Sequence, residues 1–232
     1  MLDVLARRAQ RLEDPGRQIA GPVVRDHRLM RCAHGWLLQA PGTIIAQPPM
    51  AQACIPVELA ESFQPVIGAA VMLRPLRPED VDIETAFVQG LSAETRANRL
   101  LGGAIKVTRE YIEHLTQVDY ARDMALAATV MLEGQETLIG VARYALEGDG
   151  RSCEFALVIA DAWQGRGIGR RMLQKLIAVA AARGVTRLYG DTLATNRGML
   201  GLAKAVGFTL GRHPEESHLT RVTLDLTAAA AS

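Results

Sequence analysis

The stretch from Cys153 to Gly184 constrains the fold most, because it reads as a strand, a glycine-rich turn and a helix in immediate succession. Residues 155–160 form a continuous apolar run, which is typical of a strand buried on both faces. From Ile168 onward, apolar residues recur at helical spacing, at positions 168, 172, 173, 176, 177 and 180. Gly184 supplies the C-terminal stop of this helix. The stretch therefore predicts a buried central strand joined by a tight turn to an amphipathic helix.

The turn has the composition of an anion-binding loop. Glycines stand at 165, 167 and 169, and arginines stand at 166, 170 and 171. Glycine permits positive φ and lets a ligand oxygen approach the backbone closely, and a helix N-terminus offers N–H groups and a favourable dipole. The P-loop pattern is absent, and the dinucleotide-binding pattern fails because Arg170 or Met172 occupies its final glycine position. Asp191 ends the next strand as a ribose-binding acid would, which keeps a Rossmann enzyme as an alternative.

Two segments at this end of the chain carry a family resemblance. Gln164, Gly167 and Gly169, after a strand and at the start of a helix, resemble the acyl-CoA pyrophosphate loop of the GNAT N-acetyltransferases. Residues 196–208 are similar to the family segment that begins with asparagine and closes with a Gly-Phe pair. Upstream, LRPLRPED and LTQVDYARDMAL resemble the acetyltransferase domain of the bacterial Pat-type protein lysine acetyltransferases. The resemblance covers roughly residues 71–226.

The resemblance implies an acyl-CoA-dependent N-acetyltransferase with acetyl-CoA as co-substrate and no metal. It implies an α/β (α+β) fold, a GNAT-like mixed, mostly antiparallel sheet flanked by helices. The pyrophosphate is expected on backbone N–H groups of residues 164–170, and the pantetheine arm along residues 157–159 as a strand-like partner. The expected acyl-CoA contacts are Leu157, Val158, Ile159, Gln164, Gly165, Arg166, Gly167, Ile168, Gly169, Arg170 and Asn196.

The remaining elements are predicted from their own signals. Helices are expected to open at Pro78, Ser92 and Thr108, which have the chemistry of first-turn and capping residues. Strands are predicted at 71–76, 124–132, 137–145, 186–192, 208–211 and 218–226. The chain divides into an irregular N-terminal extension at 1–70, the acetyltransferase domain at 71–226 and a tail at 227–232. Within the extension, residues 2–13 predict an amphipathic helix, and apolar positions at 36–38, 44 and 45 predict packing against the domain or a second copy.

The chemistry needs a base beside the thioester. A lysine amine has a pKa of about 10.4 in water and attacks only when it is neutral. A carboxylate near the carbonyl can take its proton, often through water. Glu154 stands alone at the head of the apolar strand, and the Pat-type segment carries glutamate at this place, so Glu154 is the predicted base. The structural alternative is a strand-end glutamate paired with arginine or facing solvent, and Asp191 is the second candidate.

A general acid is not identified by the sequence. Many GNAT enzymes have a tyrosine four residues before the Gly-Phe pair, and this chain has Ala203 there. Pat-type sequences also lack that tyrosine, and a thiolate is a good leaving group. Cys153 is interpreted as a buried small residue rather than as a nucleophile.

Composition and histidine placement exclude several classes. A net charge of +1 argues against a nucleic-acid binder. No apolar run has the roughly 18 residues of a membrane span, and three cysteines without a paired pattern indicate the cytoplasm. His213 and His218 are interpreted as parts of a solvated loop, and His27 and His34 have no partner at metal-ligand spacing.

Several functions remain open on the sequence. Direct acetyl transfer from acetyl-CoA to a protein lysine in a ternary complex is favoured, with a small-molecule amine as the alternative acceptor. A non-enzymatic acyl-CoA-binding sensor has the same loop but does not need a base. The sequence also leaves a homo-oligomer open.

Overall fold

The computed structural model describes residues 54–103 and 107–227. The predicted helix at 2–13 and the apolar positions at 36–45 lie outside these residues.

Eight strands form one sheet in the order β1-β2-β3-β4-β5-β6-β8-β7. Every neighbouring pair is antiparallel except β5 and β6, which run parallel. The fold class expected from the sequence is confirmed. The strands are β1 (Glu61–Phe63), β2 (Val71–Pro75), β3 (Met124–Leu132), β4 (Gln135–Leu146), β5 (Ser152–Ile159), β6 (Arg187–Leu193), β7 (Thr209–Arg212) and β8 (Leu219–Asp225).

Five α-helices flank this sheet in the described part of the chain. Ser92 and Thr108 cap the second and third as predicted, because each side-chain oxygen accepts a backbone N–H from the first turn. Gly184, with φ of 77°, follows the fourth helix as its stop. The helices are α1 (Val81–Gly90), α2 (Ala93–Arg99), α3 (Arg109–Thr116), α4 (Ile168–Ala182) and α5 (Arg197–Ala205).

The core lies on both faces of the sheet, and β5 is covered on each side. Cys153 and Phe155 belong to the cluster that includes buried residues of α4, such as Leu173. Val158 belongs to the opposite cluster, which includes Ile112 of α3 and buried residues of α1. Because successive strand residues point to opposite faces, this alternation explains why the sequence of β5 is continuously apolar.

The sheet begins earlier than the sequence indicated. β1 lies inside the segment assigned to the N-terminal extension, and it pairs antiparallel with β2. Glu61 holds it to α4 through Arg171 Nε and Lys175 Nζ, each 2.9 Å from one of its carboxylate oxygens. A three-residue edge strand has too little periodicity to be recognised locally.

The parallel pair of β5 and β6 is short, and its end creates an opening in the sheet. Residues 152–154 pair with 187–189, and among the described residues β5 has no partner on this side from Phe155 onward. Gly190 permits the last close approach, since a Cβ there would lie 2.9 Å from the Phe155 carbonyl oxygen. The two strands then diverge and leave a cleft between them.

A buried ion pair between Arg74 and Asp80 contributes to the stability of the fold. Arg74 donates two hydrogen bonds to Asp80, at 2.7 and 2.8 Å, and both side chains are almost fully buried. Asp80→Ala is expected to lower the free energy of unfolding by about 3 kcal/mol, because it leaves a buried guanidinium short of its main partner. Urea denaturation at neutral pH measures the change.

The matched control is Asp82→Ala. Asp82 pairs with Arg109 at 3.0 Å on the exposed surface, where an ion pair contributes little. Equal shifts in the two variants would contradict the importance assigned to the buried pair.

Candidate functional site

The cleft between the diverging strands has a volume of about 690 Å³. Its walls come from β5, the loop after β5, β6, and parts of α2 and α5. The lining residues include Thr95, Asn98, Arg99, Phe155, Leu157, Ile159, Gly167, Arg170, Asp191, Asn196 and Met199. The cleft therefore brings together the two sequence segments, around 164–170 and 196, that carry the resemblance.

The loop at the mouth of the cleft presents unused backbone donors. Gly165 and Gly167 have φ of 71° and 84°, and Gly167 forms the N-cap of α4. The first backbone bond of the helix runs from the Arg171 N–H to the Gly167 carbonyl. The N–H groups of residues 165–170 make no hydrogen bond to the described part of the chain. Six such groups at a helix N-terminus form a site for an anionic oxygen cluster.

Gln164 makes hydrogen bonds within the chain through both its side chain and its backbone N–H. Its side-chain amide donates to the Ile159 carbonyl at 3.0 Å and to the Thr95 hydroxyl at 3.3 Å. Its backbone N–H donates to the Asp161 carbonyl at 3.3 Å. Gln164 therefore shapes the loop and joins it to α2, and the free donors begin one residue later.

Asp161 is a structural residue that the sequence analysis missed. Its carboxylate accepts hydrogen bonds from the Ser92 backbone N–H and from the hydroxyls of Ser92 and Thr95, at 2.7–2.9 Å. The bond from the Ser92 N–H, followed by the two hydroxyls, lowers the pKa of Asp161 to about 2. The start of α2 is thereby fixed to the segment that leads into the glycine loop.

Three other residues expected to contact acyl-CoA differ in how they are placed relative to the cleft. Ile168 is buried in the core, so only its backbone faces the loop. The Arg166 side chain is not among the cleft-lining residues and lies over the Trp163 ring, 4.8 Å from the centroid. Asn196 lines the cleft, but its Oδ1 accepts the Met199 N–H and its Nδ2 donates to the Thr192 hydroxyl, both at 3.1 Å. One amide hydrogen of Asn196 remains for a ligand.

Glu154 lies where β5 and β6 separate, just before the part of β5 that lines the cleft. It pairs with Tyr189, the last pair before the strands diverge, and its side chain is half-buried. Burial raises the pKa of Tyr189 above its usual range, and the negative charge of Glu154 raises it further. The carboxylate therefore stands within electrostatic reach of the Tyr189 ring. Glu154 is not itself a lining residue of the cleft, but it directly precedes Phe155, which is.

Asp191 lies in a buried ion pair. Both of its oxygens accept hydrogen bonds from Arg221, at 2.8 Å, and only 2% of its side chain is exposed. His213 Nε2 lies 3.3 Å from Oδ2, while its Nδ1 accepts the backbone N–H groups of Glu215 and Glu216. The solvated-loop interpretation of His213 is therefore wrong. The cross-strand partner Arg221 draws this histidine inward, whereas His218 is exposed.

This arrangement makes Asp191 a poor candidate for a base. Asp191→Asn is expected to lower the free energy of unfolding by about 1–3 kcal/mol, because it removes a charged acceptor from buried donors. Turnover per folded molecule should persist, since the carboxylate is already engaged. Urea denaturation and steady-state rates test this, and loss of turnover without loss of stability would contradict it.

Cys153 and Ala203, the residue at the general-acid position, both lie in the buried core. Cys153 is fully buried, as predicted, and burial raises the pKa of its thiol to about 12. A thiol in that state is a weak nucleophile at neutral pH. Ala203 is also fully buried. Within residues 54–103 and 107–227, no group of three or more His, Cys, Asp or Glu residues is arranged to hold a metal ion.

Comparison with known proteins agrees with this geometry. A model of the acetyltransferase (GNAT) family matches residues 100–208. Acetyltransferase PA5475 of Pseudomonas aeruginosa is 37% identical over 150 residues, which are 65% of this chain and 81% of that protein. The chain belongs to the GNAT acetyltransferase family. It is an N-acetyltransferase, and acetyl-CoA is the co-substrate of such enzymes.

Two further GNAT relatives bear on the Pat-type resemblance. Acetyltransferase Pat of Mycolicibacterium smegmatis is 34% identical over 142 residues, which are 60% of this chain but only 41% of that protein. The crystal structure of the GNAT domain of S. lividans PAT superposes with a TM-score of 0.66 and 24% identity, covering 73% of this chain and 98% of that domain. The superposition on the S. lividans domain shows that this chain and that domain share a fold.

One further property concerns membranes. In the described ranges, no helix of this GNAT protein combines the length and apolarity needed to cross a bilayer.

Proposed function

We propose that this protein transfers the acetyl group of acetyl-CoA to a protein lysine by direct attack in a ternary complex. The observation that carries the proposal is the continuity of the cleft. It runs from the unused N–H groups of residues 165–170 along β5 to Phe155, the residue that follows Glu154. A donor bound by its phosphates at one end presents its thioester at the other.

The donor half of the site follows from the backbone. The pyrophosphate binds the N–H groups of the loop, where the dipole of α4 favours negative charge. The pantetheine amides pair with the open edge of β5 at residues 157–159, replacing the strand partner that β6 ceases to provide. Asn196 contacts the same arm with its remaining amide hydrogen.

The chemical step places Glu154 as general base. The neutral amine attacks the thioester carbonyl carbon, and its proton passes to the Glu154 carboxylate through a bridging water. The tetrahedral species collapses, the C–S bond breaks and CoA leaves as a thiolate. No acyl-enzyme is needed, which agrees with the inert environment of Cys153.

The acceptor is proposed from two observations. The protein at 34% identity is named Pat, the class whose sequences this chain resembles, although the match spans less than half of that relative. The described cleft wall also carries the carboxylate of Glu94, which suits a cationic lysine-containing partner. A small-molecule amine is the alternative acceptor, and an acyl-CoA sensor is the non-enzymatic alternative.

Location and domain limits are proposed on narrower grounds. Cys54 and Cys153 are free thiols, which supports the cytoplasm. The division into an extension, an acetyltransferase domain at 71–226 and a tail at 227–232 stays a prediction, with β1 joining the sheet of the domain. A homo-oligomer likewise stays open.

A panel of acceptors tests the proposed function. Steady-state acetylation is measured with a lysine peptide, the same peptide with its lysine replaced by arginine, and a small diamine. The proposal expects the highest kcat/KM with the lysine peptide and none with the arginine peptide. A higher kcat/KM with the diamine would assign the small-molecule acceptor. Acetyl-CoA binding without transfer to any amine would assign the sensor.

A further inference from the structure

The α2 wall of the cleft carries charged groups of opposite sign at different depths. The lining residues of this helix are Glu94, Thr95, Asn98 and Arg99. Glu94 is exposed, whereas only 7% of Arg99 is exposed. The proposed donor takes up the glycine loop and the edge of β5, which leaves the α2 wall to face the acceptor. This wall therefore offers the acceptor a carboxylate at the surface and a guanidinium in the interior.

Arg99 belongs to a buried cluster that the proposed reaction does not use. Glu84 Oε1 of α1 lies 3.7 Å from Arg99 Nη2, which is an ion-pair distance but too long for a hydrogen bond. Arg143 of β4 is also buried, and it pairs across the sheet with the lining residue Ala156 of β5. The buried hydroxyl of Tyr111, from α3, lies within electrostatic reach of the other three side chains. Glu84, Arg99, Tyr111 and Arg143 together form the buried arginine cluster.

The buried arginine cluster carries an excess of positive charge. Burial raises the pKa of Tyr111 to about 12, so its hydroxyl is neutral at physiological pH. Burial lowers the pKa of Arg99, while Glu84 opposes this shift and Arg143 adds to it. Both guanidiniums remain charged, because arginine in proteins is effectively always protonated. Within the described ranges, the cluster thus holds two cations and one carboxylate.

Part of this charge lacks an acceptor. Arg143 Nη1 donates to the Leu115 carbonyl at 3.1 Å, but Arg143 Nε and Nη2 donate no hydrogen bond within residues 54–103 and 107–227. A buried guanidinium short of acceptors costs free energy, and unsatisfied buried groups in native proteins call for a functional explanation. A bound anion would lower this cost by adding a second negative charge beside Glu84. The buried arginine cluster meets the cleft at Arg99, so this is where such an anion would bind.

We propose that Arg99 binds a carboxylate that the acceptor carries close to its reactive amine, with Arg143 adding charge from behind. The inference rests on the proposed function and deepens it, because it specifies which amines are accepted. The paired N–H donors of a guanidinium match the two oxygens of a carboxylate, and burial strengthens their attraction. Two sources supply this group: an acidic side chain beside the target lysine, or the main-chain carboxylate of a C-terminal lysine.

Steady-state acetylation by the full chain at saturating acetyl-CoA tests the subsite. Three peptides with blocked N-termini end in Asp-Lys amide, in Asn-Lys amide, or in Asn-Lys with a free carboxylate. We expect kcat/KM to be about 10-fold or more higher for a carboxylate-bearing peptide than for the Asn-Lys amide, the effect of one charge-assisted contact. Preference for Asp-Lys amide assigns the side chain, and preference for the free carboxylate assigns the main chain. Equal kcat/KM for all three peptides would overturn the subsite.

Variants on α2 test whether Arg99 reads the carboxylate. Arg99→Gln should bring the ratio of kcat/KM values for the preferred peptide and the Asn-Lys amide close to 1. The matched control is Arg96→Gln, which changes an exposed arginine of the same helix outside the cleft lining and should keep the wild-type ratio. A wild-type ratio in folded Arg99→Gln would overturn the assignment.

A second variant guards against misfolding, because Arg99→Gln removes the ion-pair partner of the buried Glu84. Arg99→Lys keeps the charge but loses the paired donors, so it should lower the ratio only in part. Urea denaturation shows whether each variant is folded. An unchanged ratio in Arg99→Lys, with Arg99→Gln unfolded, would also overturn the assignment.

The peptide series separates this inference from the proposed function. Acetylation of all three peptides with equal kcat/KM removes the subsite and leaves acetyl transfer to lysine intact. Failure of the wild type to acetylate any of them would contradict the proposed function, and the subsite would fall with it.

Discussion

Glu154→Gln is expected to reduce turnover by about 10²–10⁴-fold while acetyl-CoA affinity stays close to the wild-type value. The glutamine keeps the shape of the side chain but cannot accept a proton from the attacking amine. Glu154 also lies near the start of β5, and the loop that is proposed to bind the phosphates follows the other end of that strand. Turnover with a lysine peptide and acetyl-CoA binding are measured on the same preparations.

The pH dependence of the rate and the variant Asp191→Asn provide further tests of Glu154 as the base. The wild-type rate should rise with pH, because the acceptor lysine becomes a nucleophile only as it loses its proton. Asp191→Asn is the matched control, since it removes a carboxylate from the adjoining strand β6. A wild-type rate in Glu154→Gln would exclude Glu154 as the base. A selective loss in Asp191→Asn would move the role to β6.

Gly167→Asp is expected to weaken acetyl-CoA binding by about 10²–10³-fold. It places a carboxylate a few ångströms from the proposed pyrophosphate, where like charges repel by about 4 kcal/mol at an effective dielectric constant of 20. A side chain is also strained at this residue, which has φ of 84°. Calorimetric titration with acetyl-CoA measures the loss.

The control for this variant is Gly150→Asp. Gly150 also has positive φ, at 67°, and open space around its Cα, but it lies in the β4–β5 turn away from the cleft. The variant Gly150→Asp therefore reproduces the backbone strain and the added charge of Gly167→Asp, but its carboxylate lies away from the proposed phosphate site. Equal affinities of the two variants would show that the glycine loop is not the phosphate site.

The sequence was sufficient for the features that depend on local pattern. The apolar run of β5, the helical spacing of α4 and the capping residues Ser92 and Thr108 each lie where they were predicted. Glycine at 167 likewise indicated the positive φ that the loop adopts. These signals need only the nearest few residues, so a single sequence contains them.

The features that were missed depend on contacts between distant parts of the chain. His213 is buried because Asp191 and Arg221 pair across β6 and β8, which no local spacing shows. The hydrogen bond from the Gln164 side chain to Thr95 likewise joins the glycine loop to α2, a helix far away in sequence. Glu154 lies in the last pair before β6 leaves β5, and that point depends on the pairing of the two strands rather than on either strand alone.

The most direct test of the account follows the acetyl group itself. The protein is mixed with acetyl-CoA, with and without a lysine peptide, and the protein, peptide and free CoA are analysed by mass spectrometry at short times. Direct attack at the cleft predicts acetylated peptide and equal free CoA when all three components are present, and no acetylated protein when the peptide is absent. An acetyl group on a side chain of the protein that then passes to the peptide would contradict direct attack. Bound acetyl-CoA that is never consumed would contradict the enzyme.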